Sequence, residues 1–256
     1  MSVIRADFHV HTTLSDCASR EHTRDRVLQE ARETGLEALG ISDHIFGPDD
    51  LRKPKELRAQ LPERLSDLRI YVGCEAEMHG PAEPTIDADY AAQVDFVIMA
   101  TSHLYYLGDE VLNGLGEREL LGLMLDLMDG AIETGCADII AHPFRVNGCR
   151  FGLADLVAAL DRDRLMQTAR KAARAGIAME CNPASLRTAP DAAQWLFRSF
   201  LEAGCKLSIG SDSHYPGGIG CHGPDFATED ELRTMGLSEG TLWVIEDRVT
   251  ARRRRR

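Results

Sequence analysis

Short apolar runs recur along the chain, and polar residues flank each of them. Seven of these runs are rich in Val, Ile, Leu and Ala and have the length of strands. A continuous apolar run of about four to eight residues is typical of a strand that is buried on both faces. The seven predicted strands comprise residues 3–8, 36–41, 69–74, 94–100, 136–140, 177–179 and 205–209.

Segments with helical periodicity lie between the predicted strands. Apolar residues from Leu120 to Ile132 mark one helical face, and a second helix is predicted to begin near Pro190. A glycine can adopt the left-handed conformation that ends a helix. Four strands directly follow such a glycine, and this alternation predicts βα units and a parallel sheet. The four glycines are Gly35, Gly135, Gly176 and Gly204.

The length and composition indicate one globular domain. The chain has 256 residues, of which 44% are hydrophobic and 27% charged, and about 250 residues is the usual size of one α/β barrel. Because there is no Pro/Gly/Ser-rich linker, we expect a single domain over residues 1–250. The last six residues, 251–256, form an Arg-rich tail that we expect to be disordered.

Charge and cysteine usage exclude several classes of protein. The net charge of −12 argues against a nucleic-acid-binding surface. The seven cysteines contain no Cys-x-x-Cys pair, which argues against a disulfide framework or a thiolate zinc site. No apolar stretch approaches the roughly 20 residues that span a bilayer. We therefore expect a cytoplasmic protein with no membrane or nucleic-acid partner, and its oligomeric state stays open.

Metal-ligating residue types cluster at the ends of the predicted strands. Six of the nine histidines and two carboxylates lie there. A barrel of parallel strands brings such positions together at one face, so the pattern predicts a metal site at the C-terminal ends of the strands. The residues are His9, His11, His44, Glu75, His103, His142, Asp212 and His214.

The order of these motifs resembles that of the PHP (polymerase and histidinol phosphatase) family of metal-dependent phosphoesterases. The resemblance implies an α/β fold, a distorted TIM-like (β/α)7 barrel, with two or three divalent metal ions at the C-terminal ends of the strands. It extends over about residues 5–216. The motifs are Asp7-Phe8-His9-Val10-His11-Thr12, Ser15-Asp16, Ser42-Asp43-His44, Gly73-Cys74-Glu75-Ala76-Glu77, Ser102-His103, Ala141-His142-Pro143-Phe144 and Gly210-Ser211-Asp212-Ser213-His214.

The resemblance also implies which residues bind each ion. The first ion would be bound by His9, His11, Glu75 and Asp212. Glu75 would bridge to a second ion bound by His103 and His142. A third ion would be bound by Asp16, His44 and His214, although some family members have a histidine where this chain has Asp16. A two-ion enzyme is the alternative.

The chemistry of these side chains limits the choice of metal. Imidazoles suit zinc, iron and manganese, and carboxylates favour harder ions, so the mixed set fits Zn²⁺, Mn²⁺ or Fe²⁺. Two cations a few ångströms apart repel each other, and an anionic bridge reduces that repulsion. We therefore expect the loss of Glu75 to empty both sites.

Further residues are candidates for catalysis and substrate binding. Arg145 follows His142 by three residues and is placed to bind a phosphate, and Arg20 is a second cationic candidate. Glu180 and Asn182 end a predicted strand and are candidates for binding a substrate hydroxyl. Asp212 would orient or deprotonate the attacking water, and His214 or the third metal would stabilise the leaving oxygen.

These observations predict an enzyme that hydrolyses small-molecule phosphate monoesters by a metal-bridging hydroxide. Three alternatives stay open. The first is a phosphatase specific for histidinol phosphate. The second is a binuclear-metal hydrolase of amides, lactones or phosphotriesters, because the same nucleophile serves those reactions. The third is a metal-binding scaffold without activity.

Overall fold

The computed structural model describes residues 4–146 and 148–248. The Arg-rich tail predicted for residues 251–256 lies outside this range. Ten strands occur in the part described: β1 (Ala6–Val10), β2 (Ala38–Ile41), β3 (His44–Ile45), β4 (Arg64–Leu65), β5 (Leu68–Val72), β6 (Cys74–Glu77), β7 (Val97–Ala100), β8 (Ile139–Ile140), β9 (Ala178–Cys181) and β10 (Leu207–Ile209).

Ten α-helices connect the strands over the same ranges. Two further 3-10 turns cover Pro48–Asp50 and Tyr105–Leu107. The helices are α1 (Arg24–Glu33), α2 (Lys53–Arg58), α3 (Ala88–Ala91), α4 (Asp109–Gly114), α5 (Glu117–Thr134), α6 (Leu153–Ala159), α7 (Arg162–Ala175), α8 (Ser185–Thr188), α9 (Pro190–Glu202) and α10 (Glu229–Met235).

Each of the seven predicted strands is present, with shifts at the ends. β1 runs on to Val10, which is fully buried and pairs with Ile41 of β2, so His9 lies inside the strand rather than after it. β6 follows β5 after Gly73, belongs to the other sheet and carries Glu75 inside a strand. A Cβ at Gly73 would overlap the carbonyl oxygen of Phe96, so only glycine fits at this position between β5 and β6.

The strands form two sheets that are parallel except for one pair. One sheet has the order β1-β2-β5-β4, and the other has the order β10-β9-β8-β7-β6-β3. The exception is the antiparallel pair of β4 and β5. Backbone hydrogen bonds connect the sheets, because the Asp212 amide donates to the His9 carbonyl (2.8 Å) and the His11 amide donates to the Ser213 carbonyl (3.0 Å). The α/β class is confirmed, and closure into one barrel stays a prediction.

The glycines predicted to end helices adopt the left-handed conformation. Their φ angles lie between 69° and 89°, and a strand follows each of them within a few residues. The helix predicted over Leu120–Ile132 is α5, and the helix predicted near Pro190 is α9, with the proline in its first turn. Over the described residues, none of the helices has both the length and the apolar character needed to cross a bilayer.

Candidate metal centre

The eight predicted histidine, aspartate and glutamate ligands lie together at the ends of the parallel strands. They come from six parts of the chain, and all but two are buried. His9 lies in β1 and His11 follows it, His44 begins β3, and Glu75 lies in β6. The remaining four lie in the loops after β7, β8 and β10: His103, His142, Asp212 and His214.

His9, His11, Glu75 and Asp212 form the first group. His9 Nε2 lies 3.2 Å from Glu75 Oε2 and 3.5 Å from Asp212 Oδ1. His11 Nε2 lies 3.5 Å from Glu75 Oε2 and 3.4 Å from Asp212 Oδ1. Zinc–ligand bonds of about 2.1 Å place tetrahedral ligand atoms roughly 3.4 Å apart, so the spacing of these four atoms suits one divalent ion.

The two carboxylate oxygens of Glu75 face two different groups of imidazoles. Oε2 is the oxygen near His9 and His11, and it also lies 2.9 Å from His44 Nδ1. Oε1 lies 3.1 Å from His142 Nε2 and 3.6 Å from His103 Nε2. Glu75 is fully buried, so no bulk water screens these contacts. A carboxylate in this position can bridge two cations.

A third group surrounds His44. One nitrogen atom from each of His11, His44 and His214 lies within 4.8 Å of the other two. Asp16, which the resemblance implied as a ligand here, is exposed and belongs to none of the metal-competent groups among the described residues. The imidazoles of His44 and His214 influence the pKa of the Cys17 thiol, one residue later.

Four of the described atoms that face the centre have no hydrogen bond within the protein. Among the described residues, four of the buried side-chain atoms without a hydrogen bond are the ring nitrogens and carboxylate oxygen that line these groups. Buried polar atoms are normally satisfied, so unpaired ones need an explanation such as an ion. Bound cations would satisfy His9 Nε2, His11 Nε2, His44 Nδ1 and Glu75 Oε2. The residues therefore fit the metal ions that the sequence implies.

Two glutamates orient the predicted ligands from behind. Glu180 Oε1 lies 2.6 Å from His9 Nδ1, and Glu77 Oε1 lies 2.6 Å from His103 Nδ1. A carboxylate on the distal nitrogen fixes the imidazole tautomer and makes the ring a stronger ligand. Sequence reasoning missed the role of Glu77, although Glu75 and Glu77 are two residues apart in a strand and so share one face.

A chain of hydrogen bonds through the Ser15 hydroxyl to Asp43 orients the imidazole of His11 in a similar way. Ser15 Oγ is 3.1 Å from His11 Nδ1 and donates to Asp43 Oδ1 at 2.7 Å. Asp43 also accepts hydrogen bonds from the backbone and hydroxyl groups of Thr12. These contacts fix the start of the loop after β1, on which Cys17 lies.

Carboxylates and imidazoles shift each other's pKa values at the centre. Burial would raise the pKa of Glu75, but the neighbouring imidazoles of His9 and His44 outweigh it and hold the pKa well below its usual range. Burial would lower the pKa of His9, yet Glu180, Glu75 and Asp212 raise it well above its usual value. The centre therefore attracts positive charge, which protons or metal ions can supply.

The Cys17 thiol is also perturbed. Burial would raise its pKa, but the influence of the His214 and His44 imidazoles outweighs burial and brings the pKa to about 6. A thiol of this kind is largely a thiolate at neutral pH, and the thiolate is the form that binds metals.

Three residues at or beside predicted ligands have a backbone conformation that L-residues rarely adopt. Their φ angles are 57° for Leu104, 65° for Phe144 and 55° for Asp212. Leu104 directly follows His103, and Phe144 lies two residues after His142. Such conformations persist where surrounding contacts enforce them, and they concentrate at functional sites.

The predicted substrate contacts divide into two classes. Arg145 reaches the centre, because its Nη1 donates to Asp212 Oδ2 at 2.9 Å while the side chain stays half-exposed. Arg20 is exposed on the loop after β1. Glu180 and Asn182 are buried and engaged in the protein, since Glu180 Oε2 accepts from the His142 amide and Asn182 Oδ1 accepts from the Ala184 amide.

A cavity of about 400 Å³ lies beside His142 and Arg145. Its described lining is mainly apolar and aromatic. Of the lining side chains that the structure describes, only Glu180 carries a negative charge. The apolar part includes Phe144, Val146, Phe151, Leu153, Leu196 and Phe197.

Comparison with known proteins identifies the family of the chain. The family model described as PHP domain matches residues 7–184, which is more than half of the chain. A "Probable histidinol-phosphatase" of Deinococcus radiodurans is 28% identical over 258 residues, covering 90% of this chain and 93% of the relative. A "Probable phosphatase" of Syntrophotalea carbinolica is 26% identical over 243 residues, covering 91% of this chain and 88% of the relative.

A solved structure shares the fold. It is hisK from Listeria monocytogenes, named there as a candidate histidinol phosphatase, and it matches with a TM-score of 0.59 and 14% sequence identity. The match covers 84% of this chain and 97% of the other. At that identity the likeness concerns the fold alone. On the evidence of the family match, this chain belongs to the PHP domain family and is an enzyme of the metal-dependent phosphoesterase class.

Proposed function

We propose that the protein hydrolyses small-molecule phosphate monoesters with two or three divalent ions, Zn²⁺, Mn²⁺ or Fe²⁺, bound at this centre. The observation that carries the proposal is the position of Glu75, whose two oxygens face separate groups of histidine nitrogens 2.9–3.6 Å away. When bound, the ions would lower the pKa of a water molecule and balance the charge of the phosphoryl oxygens.

In this proposal the protein side chains position the substrate and transfer protons. Arg145 binds a phosphoryl oxygen in place of its present contact with Asp212, because a guanidinium is well suited to phosphate. Asp212 orients the attacking water and accepts its proton. His214, whose Nδ1 is hydrogen-bonded to the Asp212 carbonyl (3.0 Å), or a third ion would stabilise the leaving oxygen.

The cavity beside His142 supports an uncharged leaving group. Its one described carboxylate, Glu180, already contacts His9 Nδ1 and the His142 amide, each at 2.6 Å. A cationic leaving group would therefore enter a mainly apolar cavity without a free counter-charge. Phosphate esters of aryl and uncharged alkyl alcohols therefore suit the apolar walls of this cavity better than phosphate esters of amino alcohols.

Histidinol phosphate is the second candidate substrate. It is supported by the name of the Deinococcus radiodurans relative, which aligns over 90% of this chain. Histidinol carries an ammonium group and needs a negative counter-charge in the cavity, whereas an aryl leaving group is uncharged and needs apolar walls. Comparing kcat/KM for histidinol phosphate with that for an aryl phosphate decides between them.

We further propose that the two sheets close into one distorted (β/α)7 barrel and that residues 1–250 form a single domain. The hydrogen bonds between the β1 and β10 ends of the sheets, at 2.8 and 3.0 Å, support closure. A small phosphorylated metabolite is the proposed partner. The net charge of −12 supports the absence of a nucleic-acid partner and fits a cytoplasmic enzyme.

The first experiment measures metal content and hydrolysis together. Protein purified without chelators is analysed for metals and assayed with an aryl phosphate, before and after chelation and readdition of Mn²⁺ or Zn²⁺. Glu75→Gln should lose the metals and the activity, whereas Glu56→Gln, an exposed glutamate on α2, should keep both. Metal-independent hydrolysis, or a Glu75→Gln variant with full metal content, would contradict the proposal.

Two further measurements test the mechanism. Inorganic phosphate should inhibit at millimolar concentrations, because it occupies the position of the phosphoryl group; an amide or lactone hydrolase would be much less sensitive. Asp212→Asn should lose turnover. If it retained both metals and full turnover, the proposed role of Asp212 would be wrong.

A further inference from the structure

The loop after β10 carries two predicted ligands, Asp212 and His214, and continues as a glycine-rich segment over residues 216–221. Three of these six residues are glycines. Gly217 and Gly220 have φ angles of 101° and 76°, in the left-handed region that favours glycine. The glycines therefore allow the chain to turn shortly after the ligands.

The glycine-rich segment folds back onto the part of the loop that carries the ligands. A Cβ at Gly218 would lie 2.8 Å from the Ser213 hydroxyl oxygen, so the two parts are in close contact. The buried Asp7 of β1 holds the ends of the loop together. Its Oδ1 accepts from the Ser211 amide (3.0 Å), and its Oδ2 accepts from the Gly220 amide (2.9 Å). The position of the ligands therefore depends on the conformation of the whole loop.

Glu30 of α1 holds the middle of the same loop. Both of its carboxylate oxygens accept from the Gly217 amide at 2.9 Å, and Oε1 also accepts from the Ile219 amide at 3.0 Å. Glu30 is 6% exposed, so bulk water competes little for these amides. Neighbouring backbone amides in such a turn form a concave site for an anion. A carboxylate of the protein itself occupies that site.

The other side of the loop is bonded to the segments around the metal centre. The Asp212 amide donates to the His9 carbonyl, and the Ser19 amide donates to the His214 carbonyl, each at 2.8 Å. The loop is thus held between the centre and Glu30. Without the carboxylate, buried amides would lose their acceptor, and leaving such groups unpaired costs free energy that a shift of the loop would relieve.

We propose that Glu30 is a positioning residue for the metal centre. Its carboxylate is the anion around which residues 217–219 fold, and through that loop it fixes Asp212 and His214. The inference rests on the proposed function, in which Asp212 accepts a proton from the attacking water. Glu30 itself contacts neither substrate nor metal in this proposal. A displacement of about 1 Å at a reacting group can cost on the order of 100-fold in rate, so a residue that fixes the loop affects turnover.

Glu30→Gln tests the proposal with little change of shape. The amide places an N–H₂ group where an oxygen now accepts from Gly217. We expect kcat for an aryl phosphate at saturating Mn²⁺ to fall about 10–100-fold. KM should change little, because Arg145, on the loop after β8, binds the phosphoryl group. Glu33→Gln, at an exposed glutamate three residues later on α1, should keep the kcat of the wild type. A Glu30→Gln variant that is less stable in urea but keeps the wild-type kcat would show a merely structural role and overturn the proposal.

Chemical rescue asks whether the anion itself is what the loop needs. Glu30→Ala leaves the Gly217 and Ile219 amides without their acceptor and leaves space for a small carboxylate. Formate should restore part of the lost kcat in Glu30→Ala, whereas chloride at the same ionic strength should not. Formate should not raise the kcat of Asp212→Asn. Equal responses of these two variants to formate, or no response of Glu30→Ala, would overturn the proposal.

Hydrogen exchange gives a measurement on the unaltered chain, which holds even if the variants fold poorly. A peptide that contains residues 217–219 should exchange its amide protons slowly in the wild type. Exchange at the rate of an unstructured peptide would overturn the proposal.

Metal affinity separates this inference from the proposed function. If the wild type hydrolyses aryl phosphate and Glu30→Gln does so equally well, only the assignment of Glu30 is wrong. If the wild type binds metals but hydrolyses no phosphate monoester, the proposed function is wrong. Weaker Zn²⁺ binding by Glu30→Gln than by Glu33→Gln would then still support the positioning of Asp212 and His214 by Glu30, and equal binding would overturn it.

Discussion

Glu180 shows how much of the centre depends on a residue behind the ligands. Its carboxylate reaches His9 through a space that exists because residue 210 is glycine, since a Cβ there would overlap the Glu180 carboxylate. One oxygen then contacts His9 Nδ1 and the other accepts from the His142 amide. A single buried side chain therefore orients one predicted ligand and fixes the backbone of another.

Glu180→Gln should weaken metal binding without removing a ligand. The amide is a poorer acceptor for the His9 N–H, so the imidazole becomes a weaker ligand, and changes of this kind cost about 10–100-fold in metal affinity. Competition for Zn²⁺ against a chromophoric chelator measures the change. Glu202→Gln, on the exposed face of α9, should bind like the wild type. Equal affinities for both variants would contradict the orienting role.

Helix α5 contains two glycines in opposite surroundings. Gly122 is exposed, and a Cβ built there meets nothing within 4 Å. Gly130 is buried, and a Cβ there would overlap the carbonyl oxygen of Pro81. The first glycine only weakens the helix, whereas the second lets the loop through Pro81 pack against it.

The two alanine substitutions should therefore have opposite effects on stability. Gly122→Ala should raise the free energy of unfolding by about 0.5–1 kcal/mol, the difference in helix propensity. Gly130→Ala gains the same propensity but must displace Pro81, which costs about 1–3 kcal/mol or more. Urea unfolding measures both. If both variants gained stability, the close approach of Pro81 to α5 would be wrong.

Asp129 joins α5 to α7. Its Oδ2 accepts from Arg164 Nη1 and from Lys171 Nζ, each at 2.8 Å. Burial would raise the pKa of Asp129, but the hydrogen bonds from Lys171 and Arg164 outweigh it and lower the pKa below the ordinary 3.8. A carboxyl with a lowered pKa in the folded state adds stability above its unfolded pKa, and this is lost as the pH falls through the folded value.

Asp129→Asn should consequently lower stability by about 1 kcal/mol at pH 7. The difference from the wild type should shrink as the pH falls below about 3.8, where the wild-type carboxyl becomes protonated. Asp126→Asn is the control, because Asp126 contacts the same Arg164 but is 61% exposed. A difference that stays constant from pH 7 to pH 3 would show that charge is not the cause.

At the scale of the whole molecule, metal binding and folding are coupled. The unpaired atoms at the centre are buried in the folded state, and the unfolded chain cannot bring together residues as distant as His9 and Asp212. A ligand that binds only the folded state stabilises it by mass action. The centre should therefore contribute to stability only when loaded.

Chelation should lower the free energy of unfolding by an amount that depends on Glu75. At a free metal concentration about 100 times the Kd, each site adds about 2.7 kcal/mol. Urea unfolding of the wild type with Zn²⁺ and with a chelator measures the increment, and Glu75→Gln should remove most of it. An increment of equal size in Glu75→Gln would mean that the stabilising metal binds elsewhere.

Strand and helix positions could be read from the sequence because they depend on local periodicity. Buried parallel strands leave continuous apolar runs, and the glycines that end helices stand directly before them. The exact ends of the strands were less predictable. β1 was predicted to stop at Phe8, but the pairing of Val10 with Ile41 of β2 extends it, and a contact between distant segments is not encoded in either segment alone.

The sequence by itself determined the α/β class, the family and the set of residues predicted to ligate metals, because these follow from residue types in a fixed order. Only the tertiary structure decided which contacts each of these residues makes. It engaged Glu180 and Asn182 in internal hydrogen bonds and placed Glu77 behind His103. Which atom faces which depends on side-chain directions set by packing across the fold, and neighbouring residues in the sequence do not fix them.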